Sequence, residues 1–262
     1  MKLSTDRLLI KGSLVMLLSI LSLLGCTKEK NMNVGEYTAF FDSPAEKKLI
    51  AAVFEDKRDA VAKLISEGVN PNMVGKYEYT PLRAAIKAEH SEMLKLLLEQ
   101  GADANFITSG ASTAGYWAAM NEDPVYLKLL LDAGMDPNIK NGKTPIIFET
   151  ISGSRWKHYD MLVAHGADHL HTKAGDDSTV ALYLAMQSED ERLKQLILQG
   201  ADVETPTKGG LTVVEVLSDF QKRFSGNPKH PAYIARVELL EMLREKGLEI
   251  PDGLPGVSYP EE

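Results

Sequence analysis

The feature that most constrains this chain is a phrase that returns about every 33 residues. LLLEQGADAN occupies residues 96–105, LLLDAGMDPN residues 129–138 and LILQGADVE residues 196–204. The glycine of the phrase falls at Gly68, Gly101, Gly134, Gly166, Gly200 and Gly247, at intervals of 33, 33, 32, 34 and 47. A fixed period of this size requires equivalent supersecondary units. Each is too small to bury its own apolar face and becomes stable only when stacked on a neighbour.

The physics of one unit is readable from its residues. Thr80-Pro81-Leu82 precedes Gly101, Thr144-Pro145-Ile146 precedes Gly166, and weaker versions start at Thr113, Thr179 and Thr212. A threonine before proline suits a helix start: the hydroxyl accepts from free backbone N–H groups, and proline sits where its missing N–H costs nothing. Leu82, Ala84, Ala85 and Ile86 then give a first helix small enough for another helix to approach closely. A second helix follows from Met93, Leu94, Leu96, Leu97 and Leu98, and in the next unit from Leu127, Leu129, Leu130 and Leu131. Glycine stops it by accepting a left-handed conformation, and Ala-Asp-x-Asn forms a turn. Each unit therefore predicts a helical hairpin plus a loop.

Residues 80–105, TPLRAAIKAEHSEMLKLLLEQGADAN, resemble the ankyrin repeat, with Arg83 where the family has His and Glu89 where it has Gly. Residues 144–168 fit with one extra residue, and the units at Thr113 and Thr179 lack the proline. The resemblance covers roughly residues 45–250. It implies a mostly α, ankyrin-repeat α-solenoid of helix-turn-helix units with hairpin loops, about six repeats including divergent caps. Ser43-Pro44-Ala45-Glu46 reads as a capping box opening the first helix. QKRFSGNPKHPAY at 221–233 reads as a loop insertion in the last repeat, and the segment after Gly247 has no period.

The chain start has a different character. Lys2, Arg7 and Lys11 precede an 11-residue apolar run, Leu14 to Leu24. A bilayer span needs about 20 residues, so this is the pattern of a secretory leader. Its end, Leu23-Leu24-Gly25-Cys26, resembles the lipobox of bacterial lipoproteins, although Leu24 is bulkier than usual at its position. That resemblance implies cleavage before Cys26, acylation of Cys26 (palmitate among the acyl chains), and firm membrane anchoring. Cys26 is the only cysteine, and lipidation would account for it. Thr27, where Asp marks inner-membrane retention in enterobacteria, resembles the outer-membrane pattern. The expected organisation is a signal peptide at 1–25, a lipidated cysteine and tether at 26–42, the solenoid at 43–250 and an irregular tail at 251–262.

The formal charge is −8, and removing a leader that bears Lys2, Arg7 and Lys11 against Asp6 takes the remainder to −10. Such a chain suits no nucleic acid. No phosphate loop, nucleophile elbow or cysteine nucleophile is present, so the expectation is a binding protein, not an enzyme, without cofactors. His165, Asp168, His169 and His171 are metal-ligand types within a short span, but two fall on ordinary repeat positions, and no metal site is expected. A metal-dependent enzyme built on them is the least favoured alternative.

In the ankyrin family, partners contact hairpin tips and the exposed face of the first helix. Carried onto this sequence, the tips are Lys76, Tyr77 and Tyr79; Ser109 and Ser112; Lys140, Asn141 and Lys143; and Asp176 and Ser178. The helix positions are Lys87, Met120, Asn121, Met186 and Gln187. Tyr77 and Tyr79 are either binding anchors or packing against neighbouring loops. Trp117 reads as core or binding surface, and Trp156 as an exposed anchor or a lid over a wider helix pair. Bacterial ankyrin lipoproteins resemble immunity proteins against secreted effectors, phospholipases among them. The resemblance therefore implies a monomeric, periplasm-facing, lipid-anchored protein that binds such an effector. An envelope scaffold, or a protector of a resident enzyme, is the alternative.

Overall fold

Every glycine of the repeated phrase closes a helix. Gly101 has φ 92° and Gly134 φ 86°, a region open to glycine at little cost, and their amides complete the last turn. The computed structural model describes residues 32–224 and 226–257. The leader and Cys26 lie outside the described residues.

Thirteen α-helices are described. A short α1 (Val34–Thr38) precedes six pairs: α2 (Pro44–Phe54) with α3 (Arg58–Ser66), α4 (Pro81–Lys87) with α5 (Ser91–Glu99), and α6 (Ala114–Met120) with α7 (Val125–Asp132). The others are α8 (Ile147–Ser152) with α9 (Trp156–Ala164), α10 (Val180–Gln187) with α11 (Asp190–Leu198), and α12 (Val213–Phe224) with α13 (Pro231–Glu245). First helices pack on first helices in an unbroken row from α2 to α12. The small residues make this possible: Ala84, Ala85, Ala118, Ala119, Ala181 and Ala185 are all buried. Between repeats the chain projects as fingers at 74–79, 107–113, 140–145 and 173–179. Only the third holds a ladder, β1 (Lys140–Asn141) antiparallel to β2 (Thr144–Pro145); the others close by single bridges.

The threonine caps form at Thr80, Thr113 and Thr179, whose hydroxyls accept from the amides of Arg83, Tyr116 and Leu182 at 3.2 Å each, and at Thr212, whose hydroxyl accepts from the Glu215 amide at 3.1 Å. Thr144 departs from the expected helix start. The extra residue of that unit pulls Thr144 and Pro145 into β2, and α8 begins at Ile147.

A second periodic device runs along the loops. The Asn72 side chain donates to the Gly101 carbonyl and accepts from the Asp103 amide, at 3.3 and 2.8 Å. Asn105 does the same to Gly134 and Asp136, and Asn138 to Gly166 and Asp168. The next position is Leu170, which offers only its backbone carbonyl, to the Asp202 amide. The ladder ends there.

The ends differ from expectation. Residues 33–42 were read as tether, yet Asn33 and Glu36 form a reciprocal capping box. Tyr37 and Phe41 are 2% exposed, and Tyr37 stacks on Phe54 at 4.4 Å. Folded chain therefore reaches back to residue 33. Ser43 occupies the N-cap position of α2 but makes no side-chain cap bond, so the capping box expected there does not form, while Pro44 takes the first helical position as expected. The insertion at 221–233 is shorter than its composition suggested: α12 runs to Phe224 and α13 starts at Pro231. The tail is irregular but packed, with Leu254 and Val257 buried and the Gln221 amide donating to the Pro255 carbonyl at 2.6 Å.

Candidate partner-binding surface

The fingers form one continuous edge because backbone groups stitch each to the next. The Lys76 amide donates to the Phe40 carbonyl at 2.8 Å, and the Gly110 amide to the Glu78 carboxylate at 3.0 Å. The Gly142 amide donates to the Ala111 carbonyl, Gly175 to the Thr144 hydroxyl, and Lys208 to the Asp176 carbonyl. Glu78 anchors the first two fingers. Hydrogen bonds from Thr108, the Gly110 amide and Ser109 hold its carboxyl below the usual range against a smaller desolvation.

Tyr77 and Glu78 have φ 60° and 59°, a left-handed conformation that costs about 1–3 kcal/mol per non-glycine residue. Two contacts hold the turn: the Glu78 clasp, and Arg83 Nη1 donating to the Tyr77 carbonyl at 2.8 Å. The result presents the Tyr77 ring outward at 75% exposure.

Tyr79, expected beside it on the surface, is instead fully buried. The left-handed pair Tyr77 and Glu78 turns the chain, so that Tyr79, bridged to Gly75, re-enters the fold against Tyr37 and Phe40, with centroids at 5.3 and 5.4 Å, and under the Arg83 guanidinium at 4.5 Å. Arg83 is itself 7% exposed and lies 3.8 Å from the Trp117 ring on its other side. It fills the family's histidine position with a longer side chain that ties repeats two and three together. Beside it lies a shallow cleft, open to solvent, whose lining includes Glu78, Arg83, Asp103, Phe106, Ser112 and Trp117.

The inner helix row carries two columns, half-buried except at Ser152, which is exposed. Trp117, Glu149 and Tyr183 each stand 17 residues before their unit's glycine; Lys87, Met120, Ser152 and Met186 stand 14 before it. The first column is contiguous: α6 packs on α8 and α8 on α10, and Tyr183 meets Phe148 edge-on at 4.8 Å. Burial pushes the Glu149 carboxyl above its ordinary range, and Arg155 pulls it partly back. Burial, then Asp176 and Glu149, push the Tyr183 phenol up to about 12. This stretch is therefore aromatic, methionine-lined and flanked by two carboxylates.

Of the other expected residues, Lys140 and Lys143 are exposed and Asn141 half-buried on finger three, and Asp176 is exposed on finger four while Ser178 is buried. Asn121 caps the turn into α7, its side chain accepting from the Asp123 amide at 2.8 Å. Trp156 stands apart: it starts the second helix of its unit, half-buried under the Arg192 guanidinium at 4.4 Å. That is the lid reading, away from the inner row. The histidines disperse. His165 contacts the Met161 carbonyl of its own helix, His169 meets the Tyr159 hydroxyl at 3.2 Å, and His171 lies 3.6 Å from Asp168. Among the described residues no three His, Cys, Asp or Glu side chains gather at a metal-sized point.

Residues 49–141 match the family model described as ankyrin repeats in three copies. The ankyrin repeat domain of Bcl-3, titled a unique member of the IkappaB protein family, superposes with a TM-score of 0.62 at 19% identity, covering 79% of this chain and 87% of that one. The human ASB11 ankyrin repeat domain gives a TM-score of 0.52 at 18% identity, covering 75% and 97%. No curated protein matches the sequence significantly. The chain carries ankyrin repeats and has the ankyrin-repeat fold, which is a protein–protein interaction module.

Proposed function

We propose that this is a lipid-anchored, periplasm-facing binding protein without catalysis, whose inner row holds one protein partner. In its most concrete form it is an immunity or adaptor protein for a secreted, phospholipase-like effector. The observation that carries the binding reading is the unbroken inner row, where Trp117, Met120, Glu149, Tyr183 and Met186 stay half-open on a rigid stack. Partly exposed aromatic and methionine side chains on rigid helices are the groups that anchor interfaces. Glu149 and Asp176 flanking Tyr183 favour a basic side chain of the partner, and the overall charge of −10 on the mature chain hastens its capture. The anchor reading rests on the leader and Leu23-Leu24-Gly25-Cys26.

Two experiments test these parts separately. Mass measurement of the chain from membranes reads lipid on Cys26, and Cys26→Ser is expected to release the protein into the soluble fraction. A pull-down from envelope extract with residues 27–262 reads the partner. A single toxin-like protein encoded beside this gene supports immunity, and expression of the chain should then protect cells from it. Recovery of a resident envelope protein replaces immunity with a scaffold role.

A further inference from the structure

The five most exposed large apolar residues are not scattered evenly. Val74, Tyr77 and Ile107 are 42%, 75% and 54% exposed, and all three lie on the first two fingers; Leu198 and Ile234 lie in the fifth and sixth repeats. Register explains the clustering. Asn72, Asn105 and Asn138 are equivalent positions of the loop ladder, so Val74, Ile107 and Lys140, each two residues later, form one column along the edge. Lys76 and Lys143 project from the same fingers. Lys76, Lys140 and Lys143 are exposed, and among the described residues none of them forms an ion pair. A chain of net charge −10 after its leader thus has one apolar, lysine-bearing corner.

The first described segment, α1 and the turn after it, packs beside that corner. Asn33, which caps α1, stands seven residues after Cys26, and seven residues reach at most about 25 Å. Phe40, just beyond α1, meets the Tyr77 ring at 5.2 Å, and its carbonyl accepts from the Lys76 amide. Stacked helices are spaced about 8–10 Å, so a tether this short holds the first repeats at the bilayer and leaves the fifth and sixth some 40 Å farther along the stack. Tyrosine is a side chain suited to the headgroup region, and lysines beside it match anionic lipid.

We propose that the edge of fingers one to three, with Val74, Lys76, Tyr77, Ile107, Lys140 and Lys143, docks on the surface of the anionic bilayer that holds the chain. This rests on the lipid-anchor reading above. It divides the molecule: the corner faces lipid, and the inner row of repeats three to five faces the protein partner. The strained turn at Tyr77 fits the role, because it holds one aromatic ring out from an otherwise polar tip.

The test places residues 27–262, which contain no cysteine, on vesicles through an N-terminal hexahistidine and a nickel-chelating lipid. The vesicles are phosphatidylcholine with about one-third phosphatidylglycerol, an anionic fraction enough to attract lysines. An environment-sensitive fluorophore is attached through Tyr77→Cys or, on the fifth repeat, Leu198→Cys. The expected result is a blue shift and quenching by brominated lipid at position 77 and neither at position 198. Adding Lys76→Glu and Ile107→Ser should remove both signals at 77 while the far-ultraviolet spectrum stays unchanged. Equal behaviour at the two positions, or signals that survive Lys76→Glu with Ile107→Ser, overturns the docking and leaves the edge to a protein partner. Because the tether here is artificial, that failure is distinct from a missing lipid on Cys26, which the mass of the mature chain reads.

Discussion

The first three repeats and the last three solve the same stacking problem by different means. In the first half, a periodic group does most of the work: the Asn72, Asn105 and Asn138 ladder binds each loop to the next, while second helices pack directly on one another in both halves, α3, α5 and α7 in the first and α11 on α13 in the last. In the second half the ladder stops at Leu170, and particular side chains lock the units. Arg155 reaches Glu122 at 3.0 Å, Arg192 covers Trp156 and pairs with Asp160 at 2.9 Å, and Arg236 pairs with Asp190 at 2.6 Å over Phe220. The family match ends at residue 141, at the boundary between these regimes. A repeating device leaves a repeating sequence signal, whereas a lock made once leaves none.

The largest expected effect comes from breaking a lock. Arg236 is 2% exposed, and Arg236→Ala leaves Asp190 without its buried cation. Removing one partner of a buried ion pair costs about 3–5 kcal/mol. Denaturant unfolding of Arg236→Ala should therefore lose the sixth repeat in an early transition, with hydrogen exchange placing the loss from α12 onward. A single, unchanged transition would contradict the comparison.

Acid is expected to act next, and on the same half. Burial and then Arg155 hold the His158 imidazole below its ordinary range, and burial does the same to His169; both belong to the fourth unit. The folded state keeps these rings neutral, so the unfolded state binds more protons as pH falls. Their contribution is complete above about pH 6.5, the ordinary histidine value, and is lost as pH falls from there through the depressed folded values. Melting curves from pH 7.5 to 5 should show the second half weakening first, and His158→Gln should flatten part of that dependence.

Smaller changes sharpen the contrast. Asn105→Ala removes two hydrogen bonds from the first half and should cost about 1–2 kcal/mol, seen as a uniform fall in the midpoint of the first three repeats. Lys128→Ala breaks a solvent-exposed pair with Asp132 one helical turn away and should cost only about 0.3–0.5 kcal/mol, near the resolution of the same assay.

Much of this was legible in the residues. The glycine period gives the number of units, and threonine caps form at four of the five expected starts, Thr144 being the exception. Two columns of the inner row could be counted back from the glycines, yet Glu149 and Tyr183 went unnoticed because no tip motif marks them. Tyr79 departs from the surface expected of it because Tyr77 and Tyr79 would share a face only in an extended strand, whereas the left-handed pair Tyr77 and Glu78 turns the chain between them, a conformation that composition does not reveal. Residues 33–42 hid their helix behind a tether-like composition, since Asn33 and Glu36 cap only five residues and Tyr37 finds its partners on Phe54 and Tyr79. Such long-range contacts have no local signature.

The central claim is that the inner row of repeats three to five receives one protein. Photo-crosslinking in envelope-bearing cells tests it most directly, with a photoreactive phenylalanine at Met186 in one strain and at Leu198, on the second-helix side, in another. The account predicts one discrete crosslinked species from position 186 that vanishes with Trp117→Ala plus Tyr183→Ala, and no such species from position 198. The same band from both positions, or a band from 186 indifferent to Trp117 and Tyr183, would contradict it.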